Sequence, residues 1–242
     1  PRIYEPSQPV LNELRDHGIN NLKFLPHGVD AQTFHPRFHS NEWKTRLGIA
    51  GKFALLYVGR LVWEKDLREL AETYRILHDR RADIAFVLVG DGPILTELHQ
   101  LMPRALFLGH RSGTELSTAY ASSDLFVFPS TTETFGNVII EAMASGLVPV
   151  CARQGGASGI IQPGITGMLT NPHDPRHMAD IIEYLLSQPE LRARMTQRSL
   201  SHAQQQSWEN IFQNLFTDYT SVINDFNSSN YTNQKEKVIP DE

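Results

Sequence analysis

The chain has 242 residues, 40% hydrophobic and 20% charged, which is enough apolar material for a full globular core. Its formal net charge is −5 at pH 7, so no global positive field recruits nucleic acid or an anionic membrane surface. The single cysteine, Cys151, excludes an intrachain disulfide framework, and no run of about 18 apolar residues offers a membrane span. These features lead us to expect a cytoplasmic protein with no nucleic-acid partner.

Residues 1–29 read as one helix (9–17), one strand (22–25) and the turn that opens Pro26-His27-Gly28-Val29-Asp30. An isolated helix–strand pair cannot bury its own apolar face. The opening Pro1-Arg2-Ile3-Tyr4-Glu5-Pro6 has neither an initiator methionine nor a signal-peptide core. The expectation is a chain that begins partway through a larger protein. Near-continuous apolar runs then predict strands at 53–58, 84–89, 105–108, 125–128 and 148–152. Helical spacing between them predicts helices at 66–80, 94–102, 113–122 and 137–145. That alternation implies an α/β fold with a Rossmann-like, doubly wound parallel sheet. Cys151, inside the last of these strands, reads as a small buried apolar residue and not as a nucleophile.

From residue 176 onward the pattern is helical, at 176–187, 190–204 and 208–225. The last helix carries Trp208, Ile211, Phe212, Leu215, Phe216 and Tyr219 as a wide apolar stripe. Residues 226–242 are too polar to order themselves and read as a disordered tail. The glycosylation acceptors at Asn227 and Asn230 are taken as chance matches. His173 and His177 stand at helical spacing, but Pro175 intervenes and no Cys or Glu cluster joins them. No metal site is expected.

The chemistry concentrates at strand ends. Turn signals at Gly59, Gly90-Asp91-Gly92-Pro93 and Gly109 close three strands, and ligands bind outside the carboxyl ends of strands in such sheets. After the strand at 125–128 comes Glu133-Thr134-Phe135-Gly136-Asn137-Val138-Ile139-Ile140-Glu141. It places two carboxylates on either side of a helix start. Free N–H groups at the helix mouth suit a phosphate, and an acidic neighbour suits sugar hydroxyls. Arg60 and Lys65 follow the strand at 53–58. A guanidinium fork and a compact ammonium together can neutralise a diphosphate leaving group without a metal.

The arrangement resembles the retaining GT-B glycosyltransferases of family 4 over about residues 20–225. The elements appear in family order: Pro-His-Gly-Val-Asp with Phe34-His35-Pro36, Gly59-Arg60-Leu61 with Glu64-Lys65, and Val89-Gly90-Asp91-Gly92-Pro93. Phe107-Leu108-Gly109-His110, the Ala119–Ser130 segment, the two-glutamate segment, Gly155-Gly156 and Gly164 with Gly167 complete the series. The resemblance is to glycolipid-type members that use a UDP-hexose or GDP-mannose. It implies that Arg60 and Lys65 grip the donor diphosphate at Gly59 and that Glu133 lies beside the transferred sugar. It further implies that Thr134, Phe135, Gly136 and Asn137 form the helix mouth, that Glu141 accepts from the ribose, and that His110 and Arg111 frame the nucleobase. Arg60, Lys65 and Glu133 are then the catalytic set, the donor is a nucleotide diphosphate sugar, and no cofactor is needed.

In domain terms the resemblance implies the C-terminal half of a GT-B fold at 30–206. Residues 1–29 would be a remnant of the N-terminal acceptor domain, and 207–225 a helix crossing back toward it. The acceptor, a sugar or a lipid-linked glycan, would bind the domain that is nearly absent. Membrane contact would also belong to that domain, and little transfer is expected from this chain alone. Three positions depart from the family pattern: Asp66 stands where glycine usually follows the lysine, Pro149 is displaced by one, and Ser158-Gly159 replaces a Pro-Glu pair. Asp66 is expected to pair with Lys65 or to cap the next helix. A dinucleotide oxidoreductase is disfavoured, since Gly90-Asp91-Gly92-Pro93 lacks the third glycine. A nucleotide-sugar epimerase of the same architecture stays open, as does a non-catalytic fragment docking its 208–219 stripe onto a separate acceptor-domain chain.

Overall fold

The structure is a computed structural model that describes residues 2–236. It begins with a small parallel unit: β1 (Ile3–Glu5), α1 (Gln8–Asp16) and β2 (Leu22–Phe24), with Ile3 facing Leu22 in register. After a connection containing α2 (Asn41–Arg46), the chain enters its main sheet. The order is β3 (Phe53–Val58), α3 (Leu67–Arg80), β4 (Ile84–Val89), α4 (Leu95–Leu101), β5 (Leu106–Phe107), α5 (Gly113–Ser122) and β6 (Leu125–Phe128). Then follow α6 (Asn137–Ala144), β7 (Val148–Ala152), α7 (Gly156–Ile160), β8 (Met168–Thr170), α8 (Pro175–Ser187), α9 (Pro189–Gln205) and α10 (Trp208–Glu236).

The six strands pair in the order β5-β4-β3-β6-β7-β8, all parallel. Strands β4, β6 and β7 are buried along their whole length, because helices cover both faces. Their apolar runs therefore show no alternation. Cys151 lies in β7, fully buried, and burial pushes its thiol well above the ordinary range. The strand order reverses between β3 and β6, which open on opposite directions of the sheet. A crevice at their carboxyl ends is the expected consequence of that reversal. The doubly wound, Rossmann-like sheet is thus as expected.

Several elements differ from the expectation. The strand expected at 105–108 is only Leu106–Phe107, while β1, α2, α7 and β8 had no sequence signal strong enough to mark them. The helix expected to end at 225 continues to Glu236, so residues 226–236 are not the tail proposed for them. No glycine or proline stands between 208 and 236 to stop the hydrogen-bond ladder. Residues 237–242 lie outside the described residues.

Helix α10 returns to the first unit. Val29 bridges to Ser207, and Asp218 accepts hydrogen bonds from Arg2, Lys23 and Tyr4, the last at 2.6 Å. The hydrogen bonds from Lys23 and Tyr4 hold the Asp218 carboxyl below its usual range, while the same Tyr4 bond pushes that phenol up to about 12. Trp208, which lies over Gly28, and Tyr219, edge-on to Tyr4, are exposed nonetheless, as are Phe212, Phe216, Ile223 and Phe226. Their spacing of three or four places them along one side of the helix.

Candidate functional site

A cavity of about 480 Å³ opens at the carboxyl ends of β3 and β6, at the point where the strand order reverses. Its walls come from three stretches. From β3 come Tyr57, Gly59 and Arg60, with Lys65 in the turn beyond. From the β6–α6 connection come Thr132, Glu133, Thr134, Phe135, Gly136 and Asn137. Pro6 and His27 reach in from the small N-terminal unit.

The two cations expected to bind a diphosphate are held differently. Lys65 is 13% exposed, and its Nζ lies 2.7 Å from Glu133 Oε1 and 3.4 Å from Thr132 Oγ1. Arg60 is 70% exposed, with its guanidinium 2.6 Å from Glu64, four residues on in the same turn. An exposed pair of this kind is worth about 0.2–1 kcal/mol, so Arg60 can leave Glu64 for an anion at small cost. Below Arg60, the Tyr57 hydroxyl donates to its carbonyl at 3.1 Å, and burial raises the phenol far above its usual value. Tyr57 is thus a neutral floor beneath the cations.

The opposite wall is the mouth of α6. Gly136 precedes it at φ 90°, in the left-handed region where glycine carries no side-chain penalty, and no side chain caps the helix. Its first N–H groups are therefore available to an anionic ligand. Phe135 is buried, and the His27 ring lies 4.7 Å from it, with His27 Nδ1 3.0 Å from Asn137 Oδ1.

The segment carrying Glu133 is fixed from two sides. On one, Gly156 N–H donates to the Glu133 carbonyl at 2.7 Å. A Cβ on Gly156 would stand 1.9 Å from the Phe135 carbonyl oxygen, so the Gly155-Gly156 pair is needed for backbone to meet backbone there. On the other side lies Asp66. It stands at the N-cap position of α3, but its side chain neither bonds to the helix nor pairs with Lys65; its Oδ2 accepts from the Thr131 N–H at 2.8 Å and the Thr131 hydroxyl at 2.7 Å.

Three expected site residues stand apart from the cavity wall. Glu141 lies one turn into α6, where its Oε2 accepts from the Tyr120 hydroxyl at 2.9 Å. Burial pushes its carboxyl up, against the opposing effect of that hydrogen bond. His110 and Arg111 lie between β5 and α5, and Arg111 lines a separate groove of about 370 Å³ with Trp43, Arg46 and Leu47. The two histidines considered for a metal are otherwise engaged: His177 Nδ1 accepts from Asn171 N–H at 3.0 Å, and His173 faces Asp66 and Glu69. Conversely, Pro6, His27 and Tyr57 line the cavity without having been expected there. His27 belonged to a recognisable motif, but its partner Asn137 is 110 residues away.

Residues 39–202 match the family model described as glycosyl transferases group 1. The chain belongs to that family. This group 1 glycosyltransferase chain is 35% identical over 223 residues to a GDP-mannose-dependent alpha-mannosyltransferase of Corynebacterium glutamicum, covering 92% of this chain and 53% of that protein. It is 39% identical over 197 residues to the sulfoquinovosyl transferase SQD2 of Arabidopsis thaliana, covering 78% of this chain and 38% of the relative. Among solved structures, Anabaena HepE in complex with UDP and glucose superposes with a TM-score of 0.79 at 26% identity, over 91% of this chain and 63% of HepE. The chain therefore spans about half the length of the mannosyltransferase and less of SQD2. Its fold is the C-terminal half of the GT-B architecture.

Proposed function

We propose that this chain is the donor-binding half of a retaining, family 4 type glycosyltransferase. It would take a hexose from a UDP-sugar or GDP-mannose and deliver it to a glycan or glycolipid acceptor. The observation that carries the reading is the meeting of Lys65, Arg60 and Glu133 with the uncapped mouth of α6 in one cavity. Such a site offers donors for a diphosphate from two directions and a carboxylate where the sugar would lie.

In this reading the diphosphate sits between the α6 N–H groups and the two cations. Arg60 leaves Glu64 to reach it, and Lys65 shares its charge between Glu133 and the leaving phosphate. Charge that builds on the departing diphosphate is stabilised in place, the largest contribution a protein makes to such a step. His27, its ring oriented by Asn137, stands at the rim. The nucleoside runs from the cavity toward Glu141, whose carboxylate accepts from the ribose. The relatives support a nucleotide-linked sugar: GDP-mannose for the Corynebacterium protein, and UDP and glucose in the HepE complex.

The acceptor would bind a domain outside these residues. The exposed aromatic side of α10 supports this, since a contiguous apolar face of that kind marks an interaction surface. Whether that domain is in the same chain or a separate one, the cavity would be completed by it, and transfer by these 242 residues alone would be slow.

Calorimetric titration of the chain with UDP, GDP and ADP tests the reading. Binding of one nucleotide, lost in Lys65→Ala, is the expected result. Absence of binding for all three, or equal binding by Lys65→Ala, overturns it.

A further inference from the structure

The turn at 64–66 and the segment at 131–133 meet rung by rung. The Thr132 hydroxyl donates to the Glu64 carbonyl at 2.9 Å, Lys65 pairs with Glu133 at 2.7 Å, and Asp66 accepts twice from Thr131. Two neighbouring residues thus do separate work on one segment: Lys65 meets its carboxylate, and Asp66 grips its backbone.

The backbone of Asp66 makes this possible. Its φ of 54° and ψ of 36° are left-handed. That conformation is strained for most L-residues and free for glycine, with aspartate among the few that tolerate it. Nothing in the turn geometry alone calls for a carboxylate there. The side chain is 16% exposed, its Oδ2 is spent on Thr131, and its Oδ1 faces His173 Nδ1 at 3.8 Å. A partly buried carboxylate that accepts a backbone N–H and a hydroxyl on one oxygen is a strong local anchor.

We propose that Asp66 is a positioning residue for the donor site: its bonds to Thr131 hold the 131–133 segment in the register that sets Glu133 against Lys65. The inference rests on the donor-site reading given above. It adds a residue on the far side of the turn, outside the cavity, on which the placing of Glu133 depends.

Two substitutions separate the carboxylate from the turn. Asp66→Gly keeps the left-handed backbone and removes the anchor, while Asp66→Asn keeps both the backbone preference and an oxygen that can accept from Thr131. Amide hydrogen exchange at Thr131–Glu133 is read first, without nucleotide, and the affinity for the bound nucleoside diphosphate second. Asp66→Gly should speed exchange in that segment and weaken nucleotide binding, each by roughly tenfold, as for loss of a charged hydrogen-bond acceptor. Asp66→Asn should restore both toward wild type, and exchange in β6 and β7 should not move in either variant. Unchanged exchange in Asp66→Gly overturns the anchor. Faster exchange with unaltered nucleotide affinity overturns the positioning role. A wild-type chain that binds no nucleotide overturns the donor-site reading and the positioning role with it, and that outcome is seen before any variant is made.

Discussion

Residues 131–137 and helix α10 are attached to the same fold by contrasting means. The first is gripped by Asp66 on one side and by the Gly155-Gly156 backbone on the other, with Lys65 closing over Glu133. The second is held at its start by Trp208 over Gly28 and at its middle by Asp218, and then runs on with its aromatic residues exposed. A segment that must place charges within tenths of an ångström is over-determined by its neighbours. A helix that presents a surface needs only to be aimed. The chemistry and the assembly of the molecule are thus separable by substitution, and each side of the contrast can be attacked without the other.

The largest effect should come from the tightly held side. Lys65→Ala removes the more buried cation and leaves Glu133 without its partner. Turnover of the complete enzyme should fall by about 10²–10³, the loss of roughly 3–4 kcal/mol typical of one such donor. Arg60→Ala should follow in the same direction. An unchanged single-turnover rate for either would remove that residue from the mechanism.

Next is Gly156→Ala, which forces a methyl group onto the Phe135 carbonyl. Overpacking of this kind costs about 1–3 kcal/mol and more where backbone must move. A drop in melting temperature of roughly 2–4 °C per kcal/mol should appear in a thermal scan. Nucleotide affinity should fall with it, because the 131–137 segment shifts.

Tyr120→Phe is subtler. Burial already raises the Glu141 carboxyl, and the Tyr120 hydroxyl opposes that rise by donating to it. Without the hydroxyl, Glu141 moves further up. If the charged carboxylate is the form that accepts from the ribose, affinity falls as pH drops through the Glu141 value, and Tyr120→Phe moves that fall to higher pH. Calorimetry over a series of pH values should show the variant weaker on the acid side and approaching wild type on the alkaline side.

The smallest effect on binding, and the clearest on α10, should come from Asp218→Asn. Lys23 and Tyr4 hold the Asp218 carboxyl below its unfolded value. Its contribution to docking α10 is therefore present above the ordinary aspartate range and lost as pH falls through the lowered value. The protection of amides near residue 218, measured against their intrinsic exchange rates, should fall in acid for the wild type and be low at every pH in the variant. Nucleotide affinity should be the same in both.

Much of this was legible in the sequence, and the exceptions share a cause. The strands at 53–58, 84–89, 125–128 and 148–152 are unbroken apolar runs because both faces of the sheet are covered, and they emerge with those bounds. Lys65, Glu133 and Gly136 could be placed because they sit where a parallel strand must end. By contrast, β8 has three residues and α7 contains two glycines, too little pattern for either period to show. Asp66 and His27 were misjudged or passed over for another reason. Their partners, Thr131 and Asn137, are 65 and 110 residues away, and local spacing says nothing about them.

The burial of Cys151 has a practical side. It is the one thiol of the chain, and its place inside β7 keeps it both sealed from solvent and poorly ionised. Reagents that label thiolates should pass it by in the folded protein. A cysteine introduced on the bare side of α10, or at the rim beside Thr134, would then be a unique chemical handle. The natural sequence already provides the silent background against which a fluorophore or spin label could report donor arrival and partner docking in the same molecule.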